Sequence, residues 1–267
     1  MIYMTGDTHG ECGRFANRRM KRNHLDITEQ DYIVICGDFA LCWANDRSFV
    51  YNCNFFAEKP YTVLWVQGNH ENYDMIKEFP LEEWHGGKVR HIVRDKVILL
   101  ERGQVFEIEG KTFFTFGGAS SHDMEAGVFE RSDPQYRLKV KRAKEAGKTF
   151  RIMRETWWPE ELPSKEEMRE GLKNLEKVNN RVDYVITHCC GTKLQKQIAG
   201  EGKQEADILT EYFQQLEEII TYKQWYFGHY HEDRHIDEKH TLLYQGIVQL
   251  DDTGENLSKV PIPDMGA

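Results

Sequence analysis

Five short apolar runs, rich in β-branched and aromatic residues, each end on a small polar motif. The runs are Ile2 to Thr5, Tyr32 to Cys36, Thr62 to Val66, Asp183 to Thr187 and Trp225 to Gly228. The motifs they close on are Gly6-Asp7-Thr8-His9-Gly10, Gly37-Asp38, Gly68-Asn69-His70-Glu71, Thr187-His188 and Gly228-His229-Tyr230-His231. Runs of this length and make-up read as buried strands. A strand that ends on such a turn carries its polar side chains to one edge of a sheet, where the ligand sites of α/β folds lie.

Between the runs, Gly13 to Asn23, Arg47 to Ala57 and Glu205 to Tyr222 are long and mixed enough to be helices. The first strands therefore form a βαβ series, which predicts parallel pairing. Val97 to Leu100, Val105 to Ile108 and Thr112 to Phe116 are separated by Gly103 and by Glu109-Gly110-Lys111, turn-like breaks that predict antiparallel hairpins. Thr241 to Tyr244 and Ile247 to Leu250, split by Gln245-Gly246, read as one more hairpin. Two mixed sheets packed face to face with helices outside, an α/β sandwich of αββα type, is the packing this inventory favours.

The chain is expected to form a single domain over 1–267, since no repeat or low-complexity linker divides it and 267 residues can bury a full core. Residues 118–164 are too long and irregular for a simple loop and are expected to elaborate the site. Ser164 with Glu167 spells a capping box ahead of a helix from Lys165 to Asn179. Beyond Asp251 the chain is polar and contains Pro261 and Pro263, which predicts a loose tail.

A formal charge of −9 opposes general attraction to nucleic acid or to anionic membrane, although local patches can override it. No stretch reaches the roughly 18 apolar residues of a membrane span, and Met1 to Thr5 has no basic region leading into an apolar one. A cytoplasmic protein without membrane association is expected. Cys12, Cys36, Cys42, Cys53, Cys189 and Cys190 form no CxxC pair and lie in or beside apolar segments, so reduced core thiols are expected.

Asp7, His9, Asp38, Asn69, His188, His229 and His231 offer carboxylate, imidazole and amide donors without sulfur, the set that suits divalent first-row metals. Cleaving a phosphate ester needs a nucleophile at neutral pH, an electrophile on the phosphoryl oxygens and help for the departing oxygen. Two metals roughly 3.5 to 4 Å apart supply most of this, because water held between them loses a proton far more readily than bulk water. Asp38 is the candidate shared ligand. One ion then takes Asp7, His9 and His231, and the other Asn69, His188 and His229. His70 remains free to protonate the leaving group or to stabilise transition-state charge.

Each feature has a plainer reading. Asp7, His9 and Asp38 suit turns and helix caps, and His70 suits a satisfied structural histidine. Ser121, His122 and Asp123 are adjacent in sequence, which rarely builds a triad in space, so they read as loop residues or substrate contacts. Cys189 and Cys190 read as core thiols, or as residues that support His188. Arg137, Lys139, Lys141, Arg142, Lys144 and Lys148 read as a solvated helix face, or as a guide for a phosphorylated or polynucleotide substrate. Trp157 and Trp158 read as packing of the segment, or as a platform for a base.

The ordered set Asp7-x-His9, Gly37-Asp38, Gly68-Asn69-His70-Glu71, His188 and Gly228-His229-x-His231 resembles the calcineurin-like metallophosphoesterases, from residue 4 to about 250. The resemblance implies an αββα sandwich, Mn, Fe or Zn in the site, and the ligand and acid roles given above. Gly6-Asp7-Thr8-His9-Gly10 and Gly68-Asn69-His70-Glu71 look like the serine/threonine phosphatase and dinucleotide tetraphosphatase branch. That branch carries Asp-Arg after its second motif and Arg before Gly-Asn-His, whereas this chain has Phe39-Ala40-Leu41 and Gln67. Gly117 to Asp123 and Trp157-Trp158-Pro159-Glu160-Glu161 are instead similar to bacterial and phage-associated members whose substrates sequence does not assign. The expectation is a phosphoesterase in which metal-bridging hydroxide attacks phosphorus, with a diester or nucleotide-like substrate favoured over a phosphoprotein. A phosphorylated small molecule, nucleotide or polynucleotide is the expected partner. A protein-phosphatase-like monoesterase is the alternative, and a scaffold that has lost its ligands is a weaker one.

Overall fold

The computed structural model describes residues 1–22, 25, 27–200 and 205–250. The expected loose tail after Asp251 lies outside the described residues. The first half of the chain builds one sheet. Strand β1 (Ile2–Thr5) is followed by a 3-10 turn at Cys12–Phe15 and helix α1 (Asn17–Arg22), then β2 (Tyr32–Ile35), α2 (Arg47–Ala57), β3 (Thr62–Trp65) and α3 (Tyr73–Lys77). A hairpin of β4 (Leu81–Trp84) and β5 (Gly87–Val93) leads to β6 (Val97–Leu100). The sheet order is β15-β1-β2-β3-β6-β5-β4, where β15 (Ile247–Gln249) returns from the end of the chain. Strands β1, β2, β3 and β6 are parallel, while β15, β5 and β4 join antiparallel.

The second sheet begins with the hairpin of β7 (Gln104–Ile108) and β8 (Lys111–Phe116). Between it and the rest lie β9 (Val128–Phe129), α4 (Tyr136–Glu145), β10 (Arg151–Ile152) and a 3-10 turn at Pro159–Glu161. Helix α5 (Lys165–Lys177), β11 (Tyr184–Thr187), α6 (Thr192–Ala199), α7 (Ile208–Ile219), β12 (Gln224–Phe227), β13 (Arg234–His235) and β14 (His240–Leu242) complete the chain order. The second sheet runs β13-β14-β12-β11-β8-β7, with β8, β11, β12 and β14 parallel.

Alternation along the strands builds three apolar layers. Ile2, Met4, Val34, Leu64 and Leu100 of the first sheet meet Phe106, Phe113, Tyr184, Ile186 and Tyr226 of the second. The opposite face of the first sheet, with Ile33, Ile35, Val63 and Trp65, is covered by Phe15, Met20 and Phe56. The opposite face of the second, with Phe114, Phe116, Val185 and Trp225, is covered by Leu175, Leu209, Phe213 and Leu216. This is the αββα sandwich. Each fully buried side chain of this size is worth about 1.5–3 kcal/mol relative to exposure, and the layers set both sheets in register at the rim where the motifs sit.

Several expectations need correction. The helix expected from Gly13 to Asn23 is broken at Ala16, whose backbone is extended, so a 3-10 turn precedes α1, and Asn23 lies outside the described residues. Gly103 does not turn a hairpin between β6 and β7: these strands belong to different sheets, and the glycine marks the crossing. Thr241 to Tyr244 and Ile247 to Leu250 are likewise split between the sheets, because β15 pairs with β1 while β14 pairs with β12 and β13. The β4–β5 hairpin had no counterpart in the sequence reading. Its His85-Gly86 turn has positive φ at both residues, the primed-turn geometry that suits two-residue hairpins. The helix starts follow local chemistry: Asp46 caps α2, Asp207 caps α7, and Ser164 with Glu167 forms the expected capping box on α5.

Candidate metal centre

The C-terminal ends of β1, β2 and β3 meet those of β11 and β12, so the motif residues of both sheets converge. Asp7 and Asp38 are fully buried, 0% and 1% exposed. Asp7 Oδ2 lies 3.2 Å from His231 Nε2, and His231 Nε2 lies 3.0 Å from His9 Nε2. His9 Nδ1 is 3.9 Å from Asp38 Oδ2. On the other side of Asp38, Oδ1 is 3.2 Å from His188 Nε2, which is 3.2 Å from Asn69 Oδ1, itself 3.1 Å from His229 Nδ1. The structure therefore brings all seven nominated ligands into one continuous cluster. One donor atom from each of Asp7, His9, Asp38 and His231 falls within 4.8 Å of the others.

The backbone bends sharply to achieve this. His9, Asp38, His229 and His231 all have φ between +47° and +72°, a left-handed conformation that costs about 1–2 kcal/mol for a residue other than glycine. Glu71 holds one of these bends, its Oε1 accepting from the Phe39 and Ala40 N–H groups at 2.9 and 3.4 Å. The backbone N–H of His70 donates to Asp38 Oδ1 at 2.8 Å, and that of His229 to Asp7 Oδ1 at 3.1 Å. Two glycines are required for close approach: a Cβ at Gly68 would lie 2.0 Å from Asp38 Oδ1, and one at Gly228 would lie 2.2 Å from Asp7 Oδ1.

A supporting shell fixes the donors. His188 donates from Nδ1 to the Cys36 carbonyl at 2.7 Å, which leaves Nε2 facing Asp38 and Asn69. Asn69 Nδ2 donates to Ser121 Oγ at 3.2 Å and so turns Oδ1 toward the two imidazoles. The Ser121 N–H in turn donates to Glu161 Oε2 at 3.2 Å. Arg14 fans beneath the first motif, donating to Thr5 Oγ1 and to the carbonyls of Gly6, Asp7 and Tyr244. Sequence reasoning missed Arg14, Glu71, Ser121 and Glu161 as supports. Glu71 stood inside a motif, Ser121 inside a conspicuous Gly-Gly-Ala-Ser-Ser run and Glu161 at the end of Trp157-Trp158-Pro159-Glu160-Glu161, whereas nothing local marks Arg14.

Burial opposes charge throughout the cluster, and the carboxylates override it selectively. Desolvation pulls the His188 imidazole down, but Asp38 beside it outweighs this and raises it to about 9. Desolvation would raise Asp38, yet His188 and His70 hold it far below the usual carboxylate range. Desolvation lowers His9, and lowers His229 well below the ordinary imidazole value. His231 is raised by its hydrogen bond to Asp7. His70 is lowered by burial, which Asp38 opposes and Arg151 and His9 reinforce. Neither ring nitrogen of His70 makes a hydrogen bond among the described residues, and its ring stands edge-on to His9 at 5.0 Å. Among the described residues the ion-pair partners of Asp7 and Asp38 are all imidazoles. Buried carboxylates need compensating positive charge, and oxygen and imidazole donors without thiolate match divalent first-row ions. The residues present fit such ions.

The remaining nominated features separate. Ser121, His122 and Asp123 form no triad: Ser121 bonds to Asn69, the His122 ring lies 5.4 Å from that of His229, and Asp123 pairs with Arg151. Trp158 is fully buried with its N–H on Asp74 Oδ2 at 2.9 Å, so it packs the 118–164 segment and offers no stacking face. The basic cluster is α4 and its C-terminal flank, exposed at Arg137, Lys139, Lys141, Arg142, Lys144 and Lys148. All six cysteines are free, and Cys36, Cys42, Cys189 and Cys190 are buried. No helix among the described residues is long and apolar enough to cross a membrane.

Among curated proteins none matches this chain. Among solved structures, the phosphopantetheinyl hydrolase PptH of Mycobacterium tuberculosis is similar at 12% identity over 91% of this chain and 90% of that one, with a TM-score of 0.40. The family description Metallophos, calcineurin-like phosphoesterase, matches residues 1–233, and the chain therefore belongs to the calcineurin-like phosphoesterases, metal-dependent hydrolases of phosphoesters.

Proposed function

We propose that the chain hydrolyses a nucleotide-like phosphate ester at a two-metal centre. Asp38 would be the shared ligand, Asp7, His9 and His231 would complete one ion's set, and Asn69, His188 and His229 would complete the other's. The observation that carries this reading is the division of the Asp38 carboxylate: Oδ2 faces His9 while Oδ1 faces His188. Divalent ions in these positions supply polarisation of the phosphoryl oxygens and acidification of a water. The chain's own residues do the rest. Glu71 and the Asp38 hydrogen bond hold the two motif loops, Ser121 fixes the Asn69 amide, and His70, whose ring nitrogens make no hydrogen bond among the described residues, lines the cavity beside the cluster and would face the departing oxygen.

The preference for a nucleotide-like ester over a phosphoprotein rests on the missing arginines. Gln67 is turned toward Glu101 at 3.5 Å, and the three arginines Arg131, Arg151 and Arg154 of the inserted segment are each engaged by carboxylates, Arg131 by Glu155, Arg151 by Asp123 and Arg154 by Asp74 with Glu160. A bidentate clamp on a dianionic phosphate needs fixed guanidinium groups, and these positions do not provide one. Metal analysis of the purified chain should find close to two transition metals per molecule, and Asp38→Asn should lose most of both. One ion or none in fully active protein overturns the two-metal reading.

A further inference from the structure

Beside the cluster the surface sinks into a cavity of about 390 Å³ whose walls include His9 and His70. The other walls come from the loop after β2 and the first turns of α2, among them Trp43, Asp46, Phe49 and Asn52. This size lies at the small end of ligand pockets. Trp43 is braced: its indole meets buried Trp158 edge-on at 5.7 Å and lies tilted against His70 at 6.2 Å, while its carbonyl accepts from Asn72 Nδ2 at 3.0 Å. Asn52 offers an amide whose only hydrogen bond among the described residues is a long one, 3.5 Å, to the Gly10 carbonyl.

The charge of the cavity is as informative as its shape. Among the described residues no Lys or Arg lines it, and apart from the two imidazoles the one ionisable residue in its walls is Asp46. The N-terminus of α2 opens here, and free N–H groups at such a terminus attract anions. Asp46 already occupies them, Oδ1 accepting from Ser48 and Phe49. A second phosphate or a carboxylate would meet the Asp46 carboxylate, which already takes the Ser48 and Phe49 N–H groups.

We propose that this cavity receives the leaving alcohol of the ester, and that the alcohol is uncharged and carries a flat aromatic or heteroaromatic body, as a nucleoside does. This rests on the reading that His70 faces the departing oxygen. In the reaction, water oxygen joins phosphorus, the bond from phosphorus to the alcohol oxygen breaks, and the alcohol leaves with one proton while phosphate keeps the remainder. Trp43 and Phe49 supply the apolar wall for the ring, Asn52 a neutral hydrogen-bonding group, and Asp46 discrimination against anionic leaving groups.

The test uses the full, metal-loaded chain with AMP, glycerol 3-phosphate and ADP; removal of the terminal phosphate of ADP breaks an anhydride bond and releases AMP, an anionic leaving group. AMP should exceed both others in kcat/KM, by at least tenfold over glycerol 3-phosphate. Trp43→Ala should shrink that ratio by roughly five- to 150-fold, the span of base–aromatic stacking, and Trp43→Phe should restore most of it. Asp46→Asn, which keeps the helix cap, should raise ADP relative to AMP. A wild-type preference for glycerol 3-phosphate or ADP, or equal losses on AMP and glycerol 3-phosphate in Trp43→Ala, overturns the proposal. Should the wild type hydrolyse no ester, the functional reading fails, and adenosine alone decides the cavity. Saturation-transfer NMR should show adenosine bound to wild type and lost in Trp43→Ala, and no wild-type contact at millimolar adenosine overturns it.

Discussion

His70 differs from its neighbours in having nothing to hold. Asn69 is locked between Ser121 and two imidazoles, and Glu71 accepts from the Phe39 and Ala40 amides, but the His70 ring makes no hydrogen bond among the described residues and stands against the rings of His9 and Trp43. A neutral imidazole still carries one N–H that can be given to a departing oxygen. His70→Ala should therefore keep its metal content and lower turnover by roughly 10² to 10⁴, with poor leaving groups suffering most. Equal losses for p-nitrophenyl and alkyl phosphates would argue for electrostatic help to the phosphoryl group instead of proton donation. At this scale the sequence was highly informative, because ligands at strand ends carry both a chemical type and a position. Arg14 shows the limit: its four acceptors, from Thr5 to Tyr244, are brought together only by the fold.

At the scale of elements, the 118–164 segment is tied to the centre by Glu161, a carboxyl 1% exposed that accepts from the Ser121 N–H. Burial raises it from an ordinary 4.5 to about 8, against the opposing pull of Ser121 and Arg151. Between these two values the folded chain keeps a proton that the unfolded chain has released, so raising the pH favours unfolding across that window. Glu161→Gln should remove this component. Relative to wild type the variant should gain stability from pH 5 to pH 8, on the order of 1–3 kcal/mol, measured by denaturant unfolding at each pH. Parallel pH profiles for the two proteins would show that Glu161 does not hold the proton. Neither this contact nor the β4–β5 hairpin was legible: Leu81-Glu82-Glu83-Trp84 lacks the apolar bias of a buried strand, and His85-Gly86 is not a common turn pair. Gly103 and Gln245-Gly246 misled for a related reason. A glycine break looks the same whether the chain folds back on its neighbour or crosses to another sheet, and only the pairing of β6 with β3 and of β15 with β1 decides.

Across the whole molecule, the candidate ligands divide between the two sheets: Asp7, His9, Asp38 and Asn69 follow β1, β2 and β3, whereas His188, His229 and His231 follow β11 and β12. The contacts Asp7–His231 and Asp38–His188 cross that divide at 3.2 Å each, at the rim beyond the apolar layer of Leu64, Phe113 and Tyr226. Metals bound at this seam would be held by the folded arrangement of both sheets and by no local stretch of unfolded chain, so their binding free energy adds to folding stability. At a thousandfold excess over the dissociation constant that addition is about 4 kcal/mol, or roughly 10 °C in Tm for a chain of this size. Chelation of the metal-loaded protein should therefore lower Tm by about that amount, and restoring the metal should recover it. Asp38→Asn, stripped of the shared ligand, should unfold at a temperature that chelator no longer changes. A wild-type Tm indifferent to chelation, in protein shown by metal analysis to have been loaded, would mean that the ions do not clamp the sheets, and it would place the ligands' contribution to stability in their hydrogen bonds alone.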